Sequence, residues 1–338
     1  MDSLPVLSFL IAGQLRRDYL ITSNGKVLLD IPGGNLLYAA AGLGIWERDA
    51  GLIGRVGTDY PQEWIEKTGR FGFDLRGVRV LRDPLDLRNF IAYADPDIRL
   101  TDNPVIQFAR RGLPFPKSLL GYANPPPRLD SKTQPLTTTI RLKDMPQDYL
   151  DATAAHLCPL DFLSHTLLPS SMRQGHISTI TLDPSPSYMN PVFWEDIPTV
   201  LHGITAFITN EEKLTNLFQG RSTNLWEMAE TLGNLGCEII IIKRGARGQF
   251  LYSHANHFRW MVPAYPAHCI NPTGAGDAFC GGFLAGYRKT YDPLEACLYG
   301  NISASMVIEG NGPFFALDAL PGLAKARLEA FRDMPHKA

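Results

Sequence analysis

Residues 271–287 read NPTGAGDAFCGGFLAGY. The small residues Gly274, Ala275 and Gly276 precede an acid, Asp277, and then Phe279, Phe283, Leu284 and Tyr287 follow at helical spacing, so the stretch reads as a turn feeding a helix N-terminus. The first amides of a helix lack internal partners and point along the positive end of its dipole, which makes such a turn a cradle for phosphate. An acid inside that cradle repels the anion beside it. It has a use if it takes the proton of a hydroxyl that attacks a phosphoryl group. The plainer alternative is a glycine-rich helix start whose acid neutralises the dipole, and the continuation through Gly281 and Gly282 makes that the minority reading.

Short apolar runs alternate with helical patterns on either side of this stretch. Strands are expected at residues 6–12, 52–56, 78–81, 155–158, 177–182, 204–209 and 238–243, the last with consecutive isoleucines Ile239 to Ile242 that imply burial on both faces. Helices are expected at 36–46, 61–70, 192–201, 224–235, 274–289, 293–308 and 318–331. Alternation of this kind predicts an α/β fold with a doubly wound, mainly parallel sheet flanked by helices. Ligands of such sheets bind beyond the strand C-termini, where Asp18, Asn210, Lys243 and the glycine turn all fall. Two further runs, 19–22 and 26–31, enclose Ser23-Asn24-Gly25, a hairpin signal. With 89–94 they suggest a small β-sheet lid, drawn from about 14–32 and 88–95. Residues 95–146 lose periodicity and hold nine prolines, so they read as a Pro-rich insertion, either a lid elaboration or a partner-binding segment, in a chain that forms one domain over 1–338.

Composition is that of a globular protein, with 45% hydrophobic and 20% charged residues. A net charge of -2 argues against a nucleic-acid partner. The first apolar run is short and preceded by Asp2, so a buried strand is expected there rather than a leader, and no run reaches the length of a membrane span. Five scattered cysteines without a CxxC pair read as thiols in a reducing compartment, and the expected location is cytoplasmic. No GxxxxGK[ST] string occurs, and Gly42-x-Gly44 lies inside a helical pattern, which argues against a dinucleotide fingerprint. His254 and His257 sit in a polar turn and read as surface.

NPTGAGDAF resembles the C-terminal signature of the PfkB, or ribokinase-like, carbohydrate kinases, and residues 32–56 resemble that family's N-terminal glycine-pair region. The resemblance implies a ribokinase-like fold and ATP-dependent phosphorylation of a hydroxymethyl group on a sugar or nucleoside. It implies Asp277 as catalytic base, with the amides of Gly274, Ala275 and Gly276 as the anion hole. Asp18, Gly33, Gly34, Asn35 and Tyr38 would bind the substrate. Asn210, Lys243, Gly245, Thr273, Gly274, Gly276 and Asn301 would bind the nucleotide, with Mg2+ as cofactor.

Departures from the family pattern are specific. Tyr38 stands where the family commonly has Asn. The Asn-x-x-Glu motif tied to magnesium appears as Asn210-Glu211-Glu212-Lys213, so Glu211 or Glu212 would have to take the metal role. Asn271 replaces an Asp that often helps hold a monovalent cation, which argues against potassium activation. The rival expectation is a degenerate member that binds nucleotide or sugar as a sensor or scaffold, with the altered Asn210 motif as its support and the intact Asp277 against it. An exposed accessory sheet also suggests a homodimer through the lid.

Overall fold

Ile239 and Ile241 are buried on one side of a sheet, Ile240 and Ile242 on the other. The strand they form lies within a ten-stranded sheet. From one edge run the parallel strands β5 (Asp74–Val80), β4 (Ala50–Val56), β1 (Phe9–Ala12), β8 (Ala154–Leu157), β9 (Thr179–Leu182), β10 (Ala206–Asn210) and β11 (Ile239–Lys243). The antiparallel β12 (Gln249–Ser253), β13 (Phe258–Val262) and β14 (His336–Lys337) complete it. The computed structural model describes residues 7–125 and 128–338. Asp2, Val6, Pro126 and Pro127, which entered the reading of the first strand and of the insertion, lie outside the described residues.

Each face of the sheet is covered by helices. On one side pack α1 (Asn35–Gly44), α2 (Gln62–Arg70), α8 (Ala275–Thr290), α9 (Pro293–Ile308) and α10 (Leu323–Phe331). On the other pack α4 (Phe162–Met172), α5 (Ile197–Leu201), α6 (Glu211–Leu217) and α7 (Leu225–Asn234). The pair α1 and α8 meets backbone to backbone: a Cβ on Gly42 would lie 2.0 Å from the Ala278 carbonyl oxygen, and one on Gly281 1.9 Å from that of Ala39. Gly42 is therefore a packing glycine. Its contact fixes the N-terminus of α8 against the residues that open α1.

The lid is a separate four-stranded sheet, β3 (Val27–Gly33), β2 (Arg16–Ile21), β6 (Arg88–Asp95) and β7 (Ile98–Leu100), in that order. The Asn24-Gly25 hairpin is present, with Gly25 at φ 83°. One expectation needs correction. The lid extends past residue 95, because β7 pairs back onto β6. The insertion has structure of its own: α3 (Pro104–Ala109) and a series of short turns. Its Phe108 and Leu119, with Phe115 and Tyr122, pack on Tyr19, Ile21, Phe90 and Ala92 of the lid. These residues share one face of the sheet, since side chains alternate along a strand. A buried ion pair, Arg55 Nε to Asp144 Oδ2 at 2.7 Å, ties the far end of the insertion to β4. The lid's outer face is thus covered by its own chain. Its inner face, with Leu20, Ile91 and Tyr93, looks toward the glycine turn.

Candidate active site

Asp18, Asn210, Lys243 and the glycine turn gather at the C-terminal edge of the parallel strands, with the lid above them. Gly274 begins the turn at φ 82°, ψ 0°, a left-handed conformation that glycine adopts without strain. Asn271 braces it by accepting a hydrogen bond from the Thr273 amide at 3.1 Å. Among the described residues the amides of Gly274, Gly276 and Asp277 donate to nothing. The Ala275 amide, expected in the anion hole, donates instead to the Pro272 carbonyl at 3.2 Å. The free donors are therefore Gly274, Gly276 and Asp277.

Asp277 lies in the first turn of α8, half-buried, with Lys243, Asp183, Lys213 and Arg99 as its charged surroundings. Burial pushes its carboxyl up to about 6, against the pull of Lys243. Asp18, on the lid strand β2, is buried and likewise raised to about 6 by burial, although Asn89 Nδ2 donates to it at 2.9 Å. Gly33 allows that carboxylate its place, since a Cβ there would lie 1.9 Å from Asp18 Oδ2. Tyr38 projects from α1 beneath the turn, and a Cβ on Gly274 would fall 2.1 Å from its ring. The Tyr38 hydroxyl is buried without a partner, within electrostatic range of Asp18, Tyr93 and Asp277. A buried unpaired hydroxyl of this kind keeps its donor and acceptor capacity free.

Other expected site residues prove to be fixed by the protein. The Asn35 side chain accepts from the Gln14 amide at 2.7 Å and donates to the Pro159 carbonyl at 2.9 Å, joining two strand ends. Asn301 is buried and exchanges hydrogen bonds with Gln249, 2.6 Å for the shorter. Asn210 caps α6 by accepting from the Lys213 amide at 2.8 Å. Glu211 pairs with Arg247 and with Arg244, and Glu212 is exposed. The described residues hold no group of three metal-binding side chains. Gly245 lies where Asp97, at the tip of the lid hairpin, comes close.

Residues without an assigned role in the sequence reading complete the site. Asp183, at the end of β9, is held between two ammonium groups, Lys213 Nζ and Lys243 Nζ, the latter at 2.6 Å. Burial would raise its carboxyl, but the two lysines more than offset this and hold it at about 2. Lys243 also donates to the Gly276 carbonyl at 3.1 Å, so this cluster touches the glycine turn directly. Tyr93 Oη lies 3.0 Å from Thr273 Oγ1, docking the lid on the turn. Arg99 is paired across from Tyr93 on the same lid face. The position of Asp183 at a strand end was a usable signal; the lid contacts had none.

This is the fold of the ribokinase-like kinases, a large mainly parallel sheet with a separate lid sheet. Residues 164–319 match the model of the pfkB family of carbohydrate kinases. The cytidine kinase of Thermococcus kodakarensis is 24% identical over 294 residues, 87% of this chain and 92% of its own length. Two solved structures align along nearly the whole chain. The Burkholderia thailandensis nucleoside kinase in complex with inosine has a TM-score of 0.66 at 20% identity, over 95% of this chain and 96% of its own. The Salmonella enterica aminoimidazole riboside kinase, complexed with aminoimidazole riboside and an ATP analog, has a TM-score of 0.66 at 18% identity, over 95% and 99%. The chain thus resembles the pfkB family of carbohydrate kinases, whose model it matches over just under half of its length, and its relatives support a sugar or nucleoside kinase. No helix among the described residues is long and apolar enough to cross a membrane.

Proposed function

We propose that the protein transfers the terminal phosphoryl group of ATP to a hydroxymethyl group, with Asp277 as the base. The observation that carries this is a carboxylate raised to about 6 at the head of a turn whose amides are free. Asp18 and Asn89 hold a substrate hydroxyl, and the Tyr38 hydroxyl donates a further hydrogen bond. Asp277 takes the proton of the reacting hydroxyl as its oxygen attacks phosphorus. The bond from phosphorus to the bridging oxygen breaks, and ADP leaves. The amides of Gly274, Gly276 and Asp277 stabilise the charge on the transferring group. Magnesium carried on the nucleotide's own phosphates would neutralise them, as it does in phosphoryl transfer generally.

Within the two acceptor classes a nucleoside is the better fit. The inner lid face presents Leu20, Ile91 and Tyr93, and Tyr38 adds an aromatic ring, an apolar lining suited to a base. The first relative phosphorylates a nucleoside by its name, and one structural neighbour holds inosine. Incubation with ATP, magnesium and a panel of nucleosides and sugars tests the reading: a phosphorylated nucleoside is expected. Binding across the panel without any product would establish the sensor instead.

The acid limb of the kcat/KM profile follows from the two raised carboxylates. Both must be ionised, so activity falls as pH drops through about 6, with a slope that approaches two if both act. Unperturbed carboxyls would hold activity down to about pH 4. A profile flat to that point would remove Asp277 as a raised base.

The lid's outer face is covered by Phe108, Leu119 and their neighbours, which closes that face to a partner and leaves only the edge strands β3 and β7 for pairing. A monomeric mass is expected by light scattering. A dimer broken by an outer-face lid substitution would overturn this. We place the enzyme in the cytoplasm, consistent with five unpaired cysteines.

A further inference from the structure

The motif that resembles the family's metal-associated Asn-x-x-Glu does not fit a metal in this chain. Its last position is Lys213, whose ammonium donates to Asp183 and, at 2.8 Å, to the Pro184 carbonyl. Only 7% of Lys213 is exposed. Asp183, the one carboxylate in the cluster, is already shared by two ammonium groups, so a divalent ion beside it would meet two like charges. Counting charges among the hydrogen-bonded groups alone, the ammonium groups of Lys213 and Lys243 against the Asp183 carboxylate leave a net +1, which faces the carboxyl of Asp277. With glutamate at position 213 the same cluster would carry a net -1 and require a cation.

The donors can be counted too. An ammonium has three N–H groups. Lys243 uses its own on Asp183, on the Gly276 carbonyl at 3.1 Å and on Cys280 Sγ at 3.3 Å. Lys213 uses two, on Asp183 and Pro184. One Lys213 N–H remains unassigned, in a cluster hydrogen-bonded to the turn that cradles phosphate.

We infer that the Lys213–Asp183–Lys243 cluster is a built-in cation for the phosphates of the donor nucleotide, taking the place of a protein-associated metal. It rests on the proposed kinase reading and sharpens it: the chain holds its donor phosphates without a divalent ion at this motif. Asp183 serves as the counter-ion that lets two lysines be buried together, and Lys213 offers its remaining N–H to a phosphate oxygen. Charge-assisted contacts of this kind are stronger than neutral ones.

Calorimetric titration of the full chain with a non-hydrolysable ATP analogue, with magnesium and with excess EDTA, tests this without any acceptor. Wild-type affinity in EDTA is expected within about fivefold of that with magnesium, the range of a modest electrostatic term. Lys213→Glu is expected to lose roughly tenfold or more in EDTA and to recover with magnesium, since it reverses the cluster's charge. Lys213→Met, which keeps the stem, loses affinity in both buffers. The wild-type arms stand even if a variant fails to fold. Wild-type binding that collapses in EDTA overturns the inference while leaving the kinase reading intact. Equal affinity of wild type and Lys213→Met overturns it as well. No binding in either buffer overturns both the inference and the ATP half of the proposed reaction.

Discussion

Asp277→Asn is expected to lower kcat by about 10² to 10⁴, the range for a positioned general base. The substitution keeps the shape of the side chain and removes only its capacity to take a proton. The nucleotide should still bind, because the amides of Gly274 and Gly276 and the Lys213–Asp183–Lys243 cluster remain. Stability should rise, not fall. Burial raises this carboxyl to about 6, so at neutral pH the native state holds an ionised group it disfavours, and a neutral amide relieves that. The sign is definite: a carboxyl raised in the folded state weakens folding above its unfolded pKa, and the penalty vanishes as pH falls below it. Low turnover with an unchanged or higher melting temperature would identify a lost base. Wild-type turnover in the variant would end the mechanism.

The parts of this site that could be read in the sequence share one property: their signal lies within a few residues. The glycine turn before an apolar helix, the Asn24-Gly25 hairpin and the isoleucine strand each announce themselves by local spacing. Convergence between distant segments does not. Asp183 meets Lys213 and Lys243 across 30 and 60 residues, and no periodicity marks that meeting, although all three sit at or just past strand ends. The insertion was opaque for a related reason. Phe108, Phe115, Leu119 and Tyr122 bury themselves on the lid from separate short segments, because Pro114 and Pro116 break what their helical spacing would otherwise announce. Helix α4 escaped notice because it is apolar without a clear stripe and contains Pro169, although Asp161 caps it by accepting from the Ser164 amide at 3.0 Å. Asn35, which the resemblance implies as a substrate contact, has a side chain that ties two loops together, a tie between segments that no local spacing marks.

Gly274→Ala tests whether the turn is held by backbone conformation or by the ring beneath it. At φ 82° an L-residue is strained by roughly 1–2 kcal/mol, and the new methyl would also fall 2.1 Å from the Tyr38 ring. One of the two must move. Displacing the turn misaligns the free amides of Gly274, Gly276 and Asp277, and losing an anion-hole donor lowers kcat by about 10² to 10³. Tyr38→Ala on its own leaves the turn in place and removes the unpartnered hydroxyl, so its effect belongs mainly in KM. Combining the two separates the causes. With the ring gone, the steric part of the Gly274→Ala penalty disappears and melting temperature recovers in part, while the backbone strain stays and kcat does not return. If the double variant regains wild-type kcat, the turn depends on the clash alone. If Gly274→Ala keeps full turnover from the start, these amides are not what stabilises the transferring phosphate, and the anion hole must be sought at Lys213 and Lys243.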